Sequence, residues 1–129
     1  MQSIIVAEDE PILSGLIKTQ LESAGYAVRV AMNGKEVMAM LEDTAKPKPD
    51  IILSDLLMPE MTGYELLEKL QSDERFKKIP CLVLSNSGQI DDLNRAFKLG
   101  ANDVLIKANF NPDQLTGKVA ALLQNPSML

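Results

Sequence analysis

Three carboxylates, a hydroxyl and an amine stand at the ends of short apolar runs in this chain. Ile4, Ile5, Val6 and Ala7 lead into Glu8 and Asp9, and Ile51, Ile52, Leu53 and Ser54 lead into Asp55. Cys81, Leu82, Val83 and Leu84 lead into Ser85, while Val104, Leu105 and Ile106 lead into Lys107. Runs of this kind read as buried strands. In an open parallel sheet, ligands bind at the C-terminal edge of such strands. Gathered there, these groups would suit a divalent cation and a phosphoryl group.

Asp55 is the foremost candidate. Its run is the most hydrophobic, which implies a central strand, and a carboxylate ending it must be hydrated, paired or metal-bound. Glu8 and Asp9 brought beside it would raise one another's proton affinity unless a cation offsets the repulsion. The chain has no His, so the donors are hard oxygens, which favour Mg²⁺ or Mn²⁺ over zinc. Blander roles exist for each group. Glu8 or Asp9 could favour the dipole of a helix beginning near Glu10, Lys107 could snorkel to solvent, and Ser85 could begin a turn with Asn86.

Absences narrow the chemistry further. Glu8, Asp9, Glu10 and Pro11 follow the first run, with no G-x-G-x-x-G, and acids there would repel a pyrophosphate. No Walker loop is present, and a hydrolytic triad has no His to use. The formal charge is -5 with no basic run, which argues against a nucleic-acid surface. No apolar run reaches the roughly 18 residues of a spanning helix, and Met1, Gln2 and Ser3 lead directly into a strand. The expected location is therefore the cytoplasm, without a membrane partner. Cys81 is the single cysteine; it cannot form an internal disulfide and reads as inert packing.

The elements that must position these groups alternate. Ser3 to Ala7 reads as a strand, followed by a helix with Pro11 in its first turn and Ile12, Leu13, Leu16, Ile17 and Leu21 as its apolar stripe. Gly25 can close that helix in the left-handed region. Ala27 to Val30 is a second strand. Asn33 can cap the next helix with Glu36 as reciprocal partner, and Val37, Met40 and Leu41 face inward. Residues 46–49 lead to the third strand. Pro59 to Gly63 is a loop, with Gly63 permitting a tight path near the site, and a helix follows with Leu66, Leu67 and Leu70 inward. Pro80 suits the first residue of the fourth strand. Gln89 to Leu99 is a helix with Ile90, Leu93, Ala96 and Phe97 inward, stopped by Gly100. Asn111 and Pro112 start a last helix, with Leu115, Val119, Leu122 and Leu123 as its stripe and Pro126 at its end. Met32, Met38, Met40, Met58 and Met61 read mainly as packing residues. Five continuous apolar strands alternating with five helices predict a doubly wound α/β fold, with a five-stranded parallel sheet covered on both faces. The 129 residues show no composition break, which fits one domain.

From about Ile4 to Leu123 the chain resembles the receiver domain of the two-component response regulators. The resemblance rests on Glu8 and Asp9, on Asp55 within the stretch Ile52–Gly63, on Ser85, and on Lys107 downstream of Gly100 and Ala101. It implies a flavodoxin-like (βα)5 fold with strand order 2-1-3-4-5. It implies that Asp55 accepts a phosphoryl group from a histidine kinase or a histidine phosphotransfer protein. Asp9 would bind Mg²⁺ directly, Glu8 mainly through water, and the carbonyl of Leu57 would complete the protein ligands. Ser85 and Lys107 would hold the phosphoryl oxygens. Such a protein is a phosphorylatable switch with slow self-dephosphorylation, not a turnover enzyme, and it signals to a downstream protein by contact.

Two positions depart from the family pattern. Val104 stands where an aromatic is common, so no ring can rotate there. Ala108 stands where proline in a cis peptide is common, and a cis bond before Ala would cost about 2.5–4 kcal/mol against about 0.5–1 before Pro. A trans Lys107–Ala108 bond is expected. Together these departures leave room for a phosphorylation-independent interaction module of the same fold. A Mg²⁺-dependent phosphatase is a more remote alternative, since Leu57 offers no second acid beside the nucleophile. No output domain is expected within residues 1–129, and a stand-alone regulator resembling those of chemotaxis is the reading, although a receiver cut from a longer protein would look the same. A monomer is expected, with phosphorylation-dependent dimerisation as the alternative.

Overall fold

The computed structural model describes residues 1–86 and 88–124. Five strands, β1 (Ser3–Ala7), β2 (Ala27–Ala31), β3 (Ile51–Asp55), β4 (Cys81–Ser85) and β5 (Asp103–Ile106), alternate with five helices. The helices are α1 (Pro11–Ser23), α2 (Gly34–Glu42), α3 (Gly63–Gln71), α4 (Ile90–Lys98) and α5 (Pro112–Gln124). A single 3-10 turn, Lys107–Asn109, joins β5 to α5 and has no counterpart in the sequence pattern. All strand pairs are parallel, in the order β2-β1-β3-β4-β5. The expected doubly wound fold and strand order are both observed.

The strand side chains alternate between two cores. Ile5, Ala7, Ile52, Cys81 and Val83 point to one face, where α2, α3 and α4 supply Val37, Leu41, Leu66, Leu67, Leu70 and Ala96. Ile4, Val6, Ile51, Leu53, Leu82 and Leu84 point to the other, against Ile17 and Leu21 of α1 and Leu115, Val119 and Leu122 of α5. Burial on both sides explains why β1, β3 and β4 lack alternating polar residues. Each fully buried Ile or Leu contributes roughly 1.5–3 kcal/mol of transfer free energy. These cores fix β3 at the centre of the sheet.

Local chemistry sets the ends of the helices. Pro11 occupies the first turn of α1. Gly25 and Gly100 take positive φ, at 99° and 115°, just past α1 and α4. The Asn111 side chain accepts hydrogen bonds from the Asp113 and Gln114 N–H groups at 2.8 and 3.1 Å. Asn33 caps α2 by accepting from the Glu36 N–H at 2.9 Å. The reciprocal bond is displaced by one residue, because the Glu36 carboxylate takes the Met32 N–H. A full capping box, which sequence reading missed, joins Thr62 and Glu65 at the start of α3. Pro80 immediately precedes β4 instead of opening it. Pro126 lies outside the described residues.

Two helix faces correct the sequence reading. Ile12 and Leu16 of α1 are 82% and 55% exposed, while Ile17 and Leu21 are buried. In α4, Ile90 and Phe97 are exposed, Leu93 is half-buried and Ala96 alone is buried. Both stripes are wider in sequence than the strip of sheet each helix covers. Met32 is likewise exposed, whereas Met58 and Met61 are buried. No described helix is long and apolar enough to cross a membrane.

Candidate functional site

Strand register brings the polar groups together. Ala7 pairs with Ser54 across β1 and β3, so Glu8 and Asp55 leave adjacent strands at one level. Ser85 pairs with Ile106 across β4 and β5, which places Lys107 one step beyond. Glu8, Asp9 and Asp55 each offer a carboxylate oxygen, all within 4.8 Å of one another. Glu8 and Asp55 are 0% and 4% exposed, and Asp9 is half-buried.

Lys107 is the cation that holds this cluster among the described residues. Its Nζ donates a 2.9 Å hydrogen bond to Asp55 Oδ2 and lies 2.7 Å from Glu8 Oε2. The two contacts differ in kind. The bond to Asp55 is well directed, whereas Glu8 Oε2 receives no aligned hydrogen bond despite the short distance. The other Glu8 oxygen accepts the Glu10 N–H at 3.1 Å. Burial pushes the Glu8 carboxyl up from its ordinary value, and the Lys107 ammonium beside it only partly offsets this. Burial would by itself lower the Lys107 ammonium, but the Asp55 and Glu8 carboxylates beside it reverse the shift and hold it above its ordinary value.

The donor set fits a hard divalent cation. When ionised, three carboxylates against one ammonium leave two negative charges. Holding that excess negative charge in a buried site costs free energy that a divalent cation would recover. Glu8, Asp9 and Asp55 are thus the side chains suited to Mg²⁺ or Mn²⁺.

The backbone after Asp55 is tightly constrained. Leu57 donates its N–H to Asp55 Oδ1 at 3.3 Å, and its side chain is 65% exposed. Gly63 returns to this segment, donating its N–H to the Leu56 carbonyl at 2.9 Å. A Cβ on Gly63 would overlap the Asp55 carbonyl oxygen and lie 2.8 Å from Leu56 Cα. Gly63 therefore has a larger part than loop flexibility: it lets α3 begin against the backbone of Asp55.

Ser85 is 2% exposed and shares a cavity of about 280 Å³ with Asp55, Leu57, Tyr64, Asp92 and Arg95. Sequence reading missed Tyr64, Asp92 and Arg95, which lie on α3 and α4 and carry no strand-end signal. Val104 is half-buried against the core that contains Tyr64. No cis peptide occurs among the described residues, so the Lys107–Ala108 bond is trans as expected. Phe110 packs against the opposite core and cannot stand in for a ring at 104. A larger cavity, about 490 Å³, is lined by Lys18, Val30, Met40 and Lys46. It contains none of the strand-end groups.

Comparison with known proteins agrees with this geometry. The model of the response regulator receiver domain matches residues 4–120. The dual master transcriptional regulator RpaA of Synechocystis sp. is 36% identical over 124 residues, covering 96% of this chain and 50% of that protein. The chain spans about half the length of the curated transcriptional regulators it matches first. The phosphorylated cyanobacterial phytochrome response regulator RcpA is similar with a TM-score of 0.83 and 30% identity, over 99% of this chain and 97% of that one. The receiver domain of the sensor histidine kinase PA1611 from Pseudomonas aeruginosa PAO1, solved with magnesium in its active-site cleft, gives a TM-score of 0.85 at 25% identity. That match covers 95% of this chain and 98% of that one.

Proposed function

The chain belongs to the response regulator receiver domain family, and from that premise we propose that it is a switch set by phosphorylation of Asp55. One observation carries the reading: Asp55 ends the central strand, bonded to Lys107, with Glu8 and Asp9 oxygens within 4.8 Å. An Asp55 carboxylate oxygen attacks the phosphorus of a phosphohistidine. The O–P bond forms, the N–P bond breaks, and the electron pair leaves on the imidazole nitrogen, which takes a proton from solvent. Asp9 and Asp55, the Leu57 carbonyl, and Glu8 through water are the groups that would hold Mg²⁺. When bound, the ion supplies positive charge toward the phosphoryl oxygens. Lys107 stabilises the same oxygens from the other side, and Ser85 donates its hydroxyl to one of them. Water later attacks the phosphorus, the O–P bond breaks, and the Asp55 carboxylate is restored with release of phosphate.

The phosphoryl group adds charge at the strand ends and shifts the population of conformations of α4, β5 and α5. The donor is a histidine kinase or a histidine phosphotransfer protein, as the receiver domain of a sensor histidine kinase among its structural neighbours suggests. Residues 1–129 act as one receiver domain, a cytoplasmic monomer that contacts a protein target and binds neither nucleic acid nor membrane. Incubation with Mg²⁺ and acetyl phosphate should add one phosphoryl mass to the wild type and none to Asp55→Asn. An unmodified wild type, or an equal adduct on Asp55→Asn, would defeat the proposal.

A further inference from the structure

Arg95 is placed unlike the other arginines. Arg75 pairs with Asp73 and Glu42, and Arg29 donates to the Pro47 carbonyl. The Arg95 guanidinium makes neither an ion pair nor a hydrogen bond among the described residues. Its carbon lies 3.9 Å from the centroid of the Tyr64 ring, and this stacking is what holds it. Asp91 and Asp92 lie one turn earlier on α4, yet neither pairs with it. Arg95 and Tyr64 both wall the cavity into which Asp55 and Ser85 open.

We propose that Arg95 is a phosphoryl-sensing residue: when Asp55 is phosphorylated, the guanidinium leaves the Tyr64 ring, turns into the shared cavity and pairs with the phosphoryl oxygens. The inference rests on Asp55 being the acceptor. An exposed cation–π contact is weak, whereas a guanidinium on a phosphate forms directed, charge-assisted hydrogen bonds. Arg95 is therefore held loosely on one side of the cavity and attracted strongly to the other once the charge arrives. Asp92 faces the same space and opposes the attraction, so it tunes the response. Because Arg95 belongs to α4, whose one buried residue is Ala96, its movement draws on a helix lightly anchored to the core. Tyr64 on α3 loses its cation in the same step, which links both helices to the state of Asp55.

Beryllofluoride with Mg²⁺ serves as the phosphoryl probe, read by ¹⁹F NMR for binding and by aromatic ¹³C NMR for Tyr64. The chain has two tyrosines, so the Tyr64 signals are readily assigned. In the wild type the Tyr64 ring signals should shift on saturation. Arg95→Gln should bind beryllofluoride about fivefold more weakly, or worse, and lose that shift. Arg95→Lys should recover part of the affinity, and Asp92→Asn should raise it. A helix-packing role alone would leave beryllofluoride affinity unchanged in Arg95→Gln, and that result would overturn the proposal. So would a Tyr64 shift that persists in the variant. Absence of any beryllofluoride binding to the wild type would overturn both this inference and the acceptor reading, whereas binding indifferent to Arg95 would overturn this inference alone.

Discussion

The Lys107 ammonium lies 2.7 Å from Glu8 Oε2, and both side chains are almost wholly buried. Lys107 thus neutralises the acidic cluster from inside the fold, in addition to any contact with a phosphoryl group. Lys107→Met removes that charge and leaves Glu8 and Asp55 facing each other. Breaking a buried ion pair by removing one partner costs roughly 3–5 kcal/mol. Burial already favours a proton on Glu8, so proton uptake keeps the loss near the lower figure. Without Mg²⁺ the variant should unfold at clearly lower denaturant concentration than the wild type. It should also bind Mg²⁺ more tightly, because a competing cation is gone. Equal stability of the two proteins in EDTA would show that Lys107 does not hold the cluster together.

Gly63→Ala tests the close approach of α3 to the acceptor strand. The added methyl meets the Asp55 carbonyl oxygen and Leu56 Cα, which are backbone atoms and cannot swing aside. Overpacking of this kind costs about 1–3 kcal/mol. The displaced segment includes the Leu57 N–H that bonds Asp55, so phosphorylation from acetyl phosphate should slow as well. Urea unfolding and adduct formation measured side by side check this. A variant with unchanged stability would mean that the loop relaxes without cost.

Leu57 is expected to prolong the life of the phosphoryl group. Its exposed side chain lines the cavity beside Asp55 and can shield the phosphorus, but it cannot orient a water. Leu57→Asn supplies an amide that can. Dephosphorylation should accelerate roughly three- to tenfold, equivalent to about 0.6–1.4 kcal/mol of barrier. The decay of ³²P-labelled protein measures it. Slower or equal loss of label in the variant would assign the lifetime to other groups.

What the sequence made readable follows the strands. Continuous apolar runs specify two-sided burial, and a polar residue at the end of each run must emerge at the same sheet edge. Glu8, Asp9, Asp55, Ser85 and Lys107 are therefore identifiable from residue order alone. Gly25, Gly100 and Asn111 mark helix ends because their local chemistry does not depend on distant residues. Helix faces are harder. Periodicity shows which side of α1 or α4 is apolar, but it does not show how much of that side the sheet covers, so Ile12, Leu16, Ile90 and Phe97 were misplaced. The contact of Gly63 with the Asp55 carbonyl depends on the path of the loop between them. The stacking of Arg95 on Tyr64 depends on the packing of α4 beside α3. No local pattern encodes either one.

Cys81 offers a test of how firmly the strand carrying Ser85 is held. The thiol is buried at the start of β4, and burial pushes its pKa up to about 12. The backbone beside it is anchored by a 2.8 Å hydrogen bond from the Cys81 N–H to Asn102 Oδ1. Only the thiolate reacts with a disulfide reagent such as DTNB, and in the native state the thiol is both protonated and covered. Labelling should therefore require β4 to open. If that opening is global unfolding, any ligand that binds only the folded state must slow labelling by the factor it adds to stability. Mg²⁺ at 100 times its dissociation constant adds about 2.7 kcal/mol, so labelling should slow about 100-fold under opening-limited equilibrium conditions. A rate indifferent to Mg²⁺ would place the opening in β4 alone, and Ser85 would then sit on a strand that breathes independently of the acidic cluster.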